Sequence, residues 1–357
     1  FKKLNEHNQI WANGNTIFIP FNVYFITWKD IEEIVKNYEN IVFTNAEWFL
    51  NGELVPLLKK WTDEGKTIYF RNFTFGYTKY LKKIINSDKI IAPNLEFTFL
   101  MAFENCRMMM SYENEINNPN NKTILLNYLT FNRSLHKDYI MDKIILHNNL
   151  HLDNRNLISF HNFDGRRGRN TPELLKQYAW FYDKQEHRDF ISKFQIDLEK
   201  LTDLKIIPES ENFNIGEEQN KQKHKLCQAH SKTMFNLISE ACMPYSEDEN
   251  NIWYYHASIS AKTIWPLYFK NVFYYSPYPN IFNEALIELG FETFFSNESE
   301  FLENMNEDFY YSNETQQKLS HNHNQVKKIV DDLYKKYELK QGESVPQSWI
   351  EKYIKFE

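Results

Sequence analysis

The sequence predicts an α/β protein whose sheets are parallel and covered by helices. Three observations predict this class. Strand-like and helix-like segments alternate through the N-terminal third, a similar alternation follows residue 120, and 357 residues are enough for two domains of ordinary size. Hydrophobic residues make up 42% of the chain and aromatic residues 17%, which is ample for buried cores.

The N-terminal segments predict a β-α-β-α-β order from their apolar spacing. The predicted elements are strands within 15–26, a helix at 29–38, a strand at 39–45, a helix at 46–65 and a strand at 66–73. The second helix contains Pro56, near which it should be broken, and it should end at Gly65.

The remainder of the chain repeats this alternation. Its first predicted elements are a strand at 123–131, an amphipathic helix at 136–150, a strand at 156–160 and a helix at 171–201. Residues 205–232 are polar and predict a loop or a loose insertion. A strand that ends at an acidic residue, a short helix, another strand, a helix that ends at Gly290 and a helix at 325–337 follow. Residues 114–123 are polar, contain proline and have no periodicity, and they predict a linker. We therefore expect domains over 1–118 and 119–324, followed by a helical tail over 325–357 that packs back on the first domain.

Charge and cysteine content narrow the class of protein. The formal net charge of −7 counts against broad, non-specific nucleic-acid binding. Cys106, Cys227 and Cys242 are too few and too scattered for a disulfide framework, which favours a reducing compartment. No apolar run is long enough to cross a bilayer, and no signal-peptide pattern opens the chain. We predict a cytoplasmic protein without a membrane span.

The segment from Phe235 to Phe294 carries the clearest chemical signal. Lys262 and Thr263 open a short helix after a long loop, where backbone N–H groups and the positive end of the helix dipole attract an anion. A lysine at this place is typical of a phosphate site, to which it contributes a point charge.

A second polar cluster lies at a predicted strand-to-helix switch. Asn132 and Arg133 follow a strand, and His136 and Lys137 open the next helix. In an open α/β sheet, such residues face the crevice where ligands bind. Arg133 and Lys137 could contact a diphosphate, and Asn132 could hydrogen-bond to it. The alternative is an ordinary helix start with solvated charges.

Taken in order, four segments resemble a family of phage-type and bacterial glycosyltransferases related to the fucosyltransferase-like group. They are FNRSLHK at 131–137, LISEA at 237–241, ISAKTIWPLYFKN at 259–271 and LGFETF at 289–294. The resemblance covers roughly residues 120–300, and the N-terminal third matches only in general character. Three positions depart from the family pattern: Ala261 replaces a glutamate, Lys137 replaces an arginine and Ala241 replaces a threonine.

The resemblance implies two Rossmann-like domains in a GT-B-like arrangement. Residues 1–118 would then serve the acceptor, and residues 119–324 would bind a nucleotide-sugar. The donor-binding residues implied are Asn132, Arg133, His136, Lys137, Glu240, Ser260, Lys262 and Thr263. Lys262, Arg133 and Lys137 would neutralise the diphosphate leaving group, which is the main catalytic task. Glu240 would hydrogen-bond to ribose or sugar hydroxyls; the alternative is a structural carboxylate that caps a helix.

Transfer with inversion also needs a base that deprotonates the acceptor hydroxyl. Glu47, just after a predicted strand, is the candidate, with Glu96 and Glu104 as rivals. The basic loop of Arg166, Arg167 and Arg169 could meet an acceptor or the diphosphate, or it is simply solvated. We predict no metal site and no cofactor other than the nucleotide-sugar co-substrate.

The predicted function is therefore transfer of a sugar from a nucleotide-diphosphate donor to a hydroxyl acceptor. The acceptor could be a glycan or, for a phage enzyme, a hydroxymethylated DNA base. Two alternatives stay open. Ala261 is the feature that favours a degenerate protein that binds a nucleotide or glycan without catalysis. The other alternative is a viral structural or interaction protein on the same scaffold.

Overall fold

The computed structural model describes most of the chain in thirteen segments. They are residues 2–5, 10–20, 28–44, 54–70, 75–91, 95–116, 121–129, 135–159, 185–197, 201, 219–240, 257–336 and 338. Contacts divide the chain into two compact units. The first unit contains residues 1–104, 246–259 and 330–357, and the second contains 105–245 and 260–329.

The first unit is built on a six-stranded sheet with the order β1-β2-β3-β4-β5-β6. The strands are Lys2–Asn5 (β1), Ile10–Asn13 (β2), Thr16–Pro20 (β3), Asn40–Thr44 (β4), Thr67–Phe70 (β5) and Ile90–Ile91 (β6). The strands from β3 to β6 are parallel, as the alternating sequence predicts, whereas β1 and β2 extend the sheet in antiparallel fashion.

Helices connect the parallel strands of this sheet. They are Trp28–Val35 (α1), Leu54–Asp63 (α2) and Phe75–Ile84 (α3), and Leu95–Cys106 (α4) follows β6. In α2, Leu54, Leu58 and Trp61 are buried at helical spacing and hold the helix on the sheet. Gly65, which follows this helix, has a φ of 96° that few other residues tolerate.

The second unit is built on a four-stranded parallel sheet with the order β10-β9-β7-β8. The strands are Ile124–Leu129 (β7), Leu157–Ser159 (β8), Thr233–Ile238 (β9) and Val272–Tyr275 (β10). The chain adds β8 on one side of β7 and then β9 and β10 on the other. The strand order therefore reverses between β7 and β9, which makes their carboxyl ends a topological switch point. Together the two sheets confirm the predicted α/β class with parallel strands.

The helices of the second unit follow in chain order. They are Glu113–Ile116 (α5), Leu135–Tyr139 (α6), Gln185–Phe194 (α7), Gln219–Ser231 (α8), Ala261–Tyr268 (α9), Asn280–Glu288 (α10), Glu298–Asn304 (α11), Glu307–Tyr311 (α12) and Asn313–Lys336 (α13). A 3-10 helix at Arg107–Tyr112 precedes α5, and a π-helix at Ile140–Leu146 continues α6. The core on one face of the sheet includes Leu126, Tyr128, Phe235, Tyr274 and Phe301.

Two predictions for this unit differ from the structure over the residues that it describes. For 205–232 we predict a loop or a loose insertion, whereas α8 occupies the second half of this region and buries Leu226, Cys227 and His230; residues 205–218 lie outside the described residues. The expected linker 114–123 overlaps α5 at one end and holds a buried lysine at the other. That lysine, Lys122, donates to the carbonyls of Thr233 and Phe269 at 2.8 and 2.9 Å and to Asn271 Oδ1 at 2.6 Å. Polar side chains are buried in both places because each has a hydrogen-bond partner.

The C-terminal helix is longer than predicted. It begins at Asn313 rather than at residue 325, and its end belongs to the first unit. Within that unit the Tyr334 hydroxyl donates to the Glu104 carboxylate, and Lys336 Nζ lies 3.4 Å from Glu96 Oε2. Across the described segments, no helix combines the length and apolar character that a bilayer crossing requires.

Candidate functional site

The candidate site lies where β7 and β9 end. These strands are parallel neighbours, with Asn127 beside Asn236, so their carboxyl ends meet at one edge of the sheet. Ser239 and Glu240 follow β9 directly, and α6 begins soon after β7. We call this place the switch-point edge. It is the edge at which open α/β sheets bind ligands.

Glu240 joins this edge to the beginning of α9. Its side chain is fully buried. Oε1 accepts hydrogen bonds from the Ser260 backbone N–H at 3.0 Å and from the Thr263 hydroxyl at 2.5 Å, and Oε2 accepts from the Ser260 hydroxyl. Ser260 in turn caps α9, since its hydroxyl oxygen accepts from the Lys262 N–H at 3.2 Å. A carboxylate of the chain itself therefore stabilises this helix N-terminus.

Two further hydrogen bonds surround Glu240, one to a donor of its carboxylate and one to its backbone oxygen. The Tyr275 hydroxyl, at the end of β10, donates to Thr263 Oγ1 at 2.8 Å, which extends the chain of donors that ends on Glu240. His136 Nε2 lies 2.9 Å from the Glu240 backbone oxygen, to which it donates because a carbonyl can only accept. The imidazole therefore links α6 to the end of β9.

Two lysines approach the switch-point edge from different helices. Lys262 is half-buried, and its Nζ donates to the Ser239 carbonyl at 2.8 Å. Lys137 is buried, with 1% of its surface exposed. Burial, together with repulsion from the Lys262 ammonium, lowers the pKa of Lys137 well below its ordinary value, although Glu240 and Asp138 oppose the shift. The structure thus places two lysine side chains close together, and an anion between them would favour the charged form of both.

Six of the predicted donor-site residues converge at this edge. They are His136, Lys137, Glu240, Ser260, Lys262 and Thr263. The remaining predicted site residues, Asn132, Arg133, Glu47, Arg166, Arg167 and Arg169, lie outside the described residues. The rival bases Glu96 and Glu104 lie in the first unit, where they contact Lys336 and Tyr334.

The sequence indicated Glu240 as either a ligand contact or a helix cap, and its observed contacts are those of a cap. Tyr275 was missed as a member of the site because aromatic strand residues are usually core, and here the ring is indeed core. It stacks on Phe282 with ring centroids 4.5 Å apart, while its hydroxyl reaches Thr263. Ala261 is the first residue of α9 and adds no polar group to the helix start.

The arrangement suits recognition of an anion by ammonium groups. In the described part of the chain, no three histidine, cysteine, aspartate or glutamate side chains are grouped so that they could hold a metal ion. No protein-family model, curated protein or solved structure matches this chain. The resemblance to glycosyltransferases therefore rests on the four sequence segments and remains a prediction.

Proposed function

We propose that the second unit binds the diphosphate of a nucleotide-sugar at the switch-point edge, and that the protein is a glycosyltransferase. The observation that supports this most is the convergence of Lys137 and Lys262 at the carboxyl ends of β7 and β9. These residues belong to separate sequence segments, and both segments carry the resemblance to glycosyltransferases. Two neighbouring ammonium groups recognise a phosphate-bearing ligand.

The proposed roles follow from the charge that develops in the reaction. When the sugar leaves, negative charge accumulates on the diphosphate, and fixed cations near it stabilise the transition state. Lys262 is held in place by the Ser239 carbonyl, and its ammonium would stabilise the charge on the phosphate oxygens. Lys137 would take up a proton as the anion arrives, since an opposite charge raises the pKa of a lysine.

Glu240, in this proposal, positions the lysines rather than the sugar. It fixes the start of α9, which carries Lys262, and its backbone oxygen holds His136, which precedes Lys137. Transfer to a glycan hydroxyl or to a hydroxymethylated DNA base remains proposed on resemblance alone. The same is true of inversion, independence from metals and Glu47 as the base.

A binding protein without transferase activity is the second candidate. Two observations favour it. Ala261 stands where the family pattern has a glutamate, and the N–H groups of Ser260 and Lys262 are already bonded to side chains of the chain itself. Such a protein would bind a nucleoside diphosphate and would transfer nothing.

The test is an assay for release of nucleoside diphosphate from a panel of UDP-, GDP-, ADP- and dTDP-sugars. Each reaction is run with the purified protein, with and without a mixture of glycan acceptors and hydroxymethylated DNA. Release that depends on an acceptor supports a glycosyltransferase. Binding without release supports the second candidate, and the absence of both contradicts the donor site itself.

A further inference from the structure

Three buried hydroxyl groups near the switch-point edge have no hydrogen-bond partner. They belong to Tyr128, Ser239 and Ser276, which are 0%, 2% and 0% exposed. Tyr128 is near the end of β7, and the two serines directly follow β9 and β10. Three adjacent strands thus each supply one unsatisfied hydroxyl close to the same edge of the sheet.

The strand register places the two serines side by side. Tyr275 pairs with Ile238, so the next residues, Ser276 and Ser239, are neighbours, and the Ser276 N–H lies 3.4 Å from the Ile238 oxygen. Burial raises the pKa of Tyr128 and the nearby Ser239 side chain opposes this shift, so the two hydroxyls are close, although they do not meet in hydrogen-bond geometry. The hydroxyls therefore form one cluster next to the place where Lys262 is anchored on the Ser239 carbonyl.

A buried hydroxyl without a partner destabilises a protein, because water solvated it in the unfolded chain. Among the described residues of this unit, the other buried serine and threonine hydroxyls are paired. Ser231 Oγ donates to Glu115 Oε2 at 3.1 Å, and Thr233 Oγ1 donates to the Ala229 oxygen at 2.7 Å. Three unsatisfied hydroxyls that lie together next to the anchored Lys262 ammonium are groups that a bound ligand would satisfy.

We propose that Ser239 and Ser276 are ligand-binding residues that donate hydrogen bonds to phosphate oxygens. This inference rests on the proposed function, since it assigns two further contacts to the same diphosphate. Hydroxyl donors suit this task because they rotate towards an acceptor, and hydrogen bonds to charged oxygens are stronger than those between neutral groups. Both hydroxyls are covered in the structure, so a ligand reaches them after a local opening of this edge.

The test compares Ser239→Ala and Ser276→Ala with Ser231→Ala as the matched control. Ser231 is also buried, but it lies at the opposite, amino-terminal end of β9 and its hydroxyl is paired. For each variant the melting temperature is measured without ligand, and the Kd is measured for UDP, GDP, ADP and dTDP. Of these probes, the one that the unaltered protein binds most tightly is used for the comparison.

We expect the two site variants to lose affinity for the probe without losing thermal stability, and the control variant to do the reverse. Ser239→Ala and Ser276→Ala keep or raise the melting temperature and weaken binding about tenfold each, whereas Ser231→Ala lowers the melting temperature and leaves the Kd unchanged. Lower melting temperatures with an unchanged Kd in the two site variants would mean that the hydroxyls are structural, which overturns the inference. An unchanged Kd with unchanged stability overturns it as well. Both results leave the donor site intact, whereas failure of the unaltered protein to bind any probe removes the donor site too.

Discussion

The ammonium of Lys262 donates a hydrogen bond to the backbone carbonyl of Ser239, with 2.8 Å between Nζ and the oxygen. This bond connects the first turn of α9 to the residue that follows β9. It fixes a cation at the point where the strand order of the second sheet reverses. The position of this charge is the structural basis of the proposed donor site.

Loss of this cation should weaken binding of a nucleoside diphosphate. We expect Lys262→Ala to cost about 1.5–3 kcal/mol of binding free energy, because a charge-assisted hydrogen bond to phosphate is lost. That corresponds to an increase in Kd of about 10- to 150-fold by calorimetry. Lys232→Ala, an exposed lysine at the opposite end of β9, is the control and should bind normally. If folded Lys262→Ala protein binds the nucleotide as tightly as the unaltered protein does, Lys262 does not contact the ligand.

The carboxylate of Glu240 should matter more for stability than for ligand contact. Glu240→Gln places an amide N–H₂ where the Ser260 and Thr263 donors need an acceptor, so we expect a loss of about 1–3 kcal/mol in unfolding free energy. Thr263→Val should also destabilise, because it leaves the buried Tyr275 hydroxyl without its acceptor. Chemical denaturation measures the unfolding free energy of both variants. A Glu240→Gln protein of normal stability but reduced affinity would show instead that this carboxylate contacts the ligand.

Two buried lysines of the second unit should respond in opposite ways to the same substitution. Lys122 donates to three neutral acceptors, so Lys122→Met should lower the unfolding free energy by about 2–4 kcal/mol and leave binding unchanged. Lys137→Met replaces a buried amine close to Lys262, whose charged form burial disfavours, by an apolar side chain, so it should keep or raise stability and abolish diphosphate binding. Paired measurements of melting temperature and Kd check this contrast. Similar losses of stability in both variants would mean that Lys137 is structural.

Stability in acid should depend on a carboxylate remote from the site. Burial opposes ionisation of Glu113, but hydrogen bonds from Lys327 and Tyr268 and the field of His323 outweigh it and lower its pKa to about 2. Because the folded-state pKa lies below the ordinary value of 4.5, the stabilisation is complete above that pH and is lost as the pH falls towards 2.

The corresponding measurement is the melting temperature of Glu113→Gln and of the unaltered protein from pH 7 to pH 2. We expect a constant difference above about pH 5 that closes as the pH approaches 2. Glu303→Gln, an exposed carboxylate on α11, serves as the control and should follow the unaltered protein throughout. A difference between Glu113→Gln and the unaltered protein that persists at pH 2 would exclude ionisation of Glu113 as its cause.

Substitution of Ala261 tests whether the departure from the family pattern limits activity. Ala261 is the first residue of α9, next to Lys262, so a glutamate there lies close to any bound donor. We expect Ala261→Glu to raise turnover of a nucleotide-sugar if the protein is a weakened transferase. Turnover that stays at background in a variant that still binds nucleotide would favour the binding protein. Ala257→Glu is unsuitable as a control, because that residue is buried.

The sequence predicted most strands and helices of the second unit, because apolar periodicity reveals elements that bury one face. It missed α8, whose buried residues include the polar His230 and Ser231 beside the apolar Leu226 and Cys227, so that its apolar pattern is interrupted. These residues are compatible with burial because of contacts that are distant in sequence. Ser231 bonds to Glu115, and the His230 carbonyl accepts from Asn271 at 3.0 Å. The burial of Lys122 likewise depends on acceptors that are distant in sequence, so its segment predicts a linker.

The candidate site was partly predictable. The lysines and His136 stood out because charged residues at helix starts have a recognisable spacing. The contacts of Glu240 were not predictable, since its main partners lie 20 and 23 positions further along the chain. The unpartnered hydroxyls of Ser239 and Ser276 carry no sequence signal at all, because a missing hydrogen bond becomes visible only when burial is known.

The most direct test of the donor site is isothermal titration of UDP, GDP, ADP and dTDP into the unaltered protein and into Lys262→Ala and Lys137→Met. We expect at least one nucleoside diphosphate to bind the unaltered protein, and we expect both substitutions, but not Lys232→Ala, to weaken or abolish this binding. Binding of equal strength to all four proteins would place the nucleotide elsewhere. If none of the four nucleotides binds the unaltered protein, the central claim is contradicted.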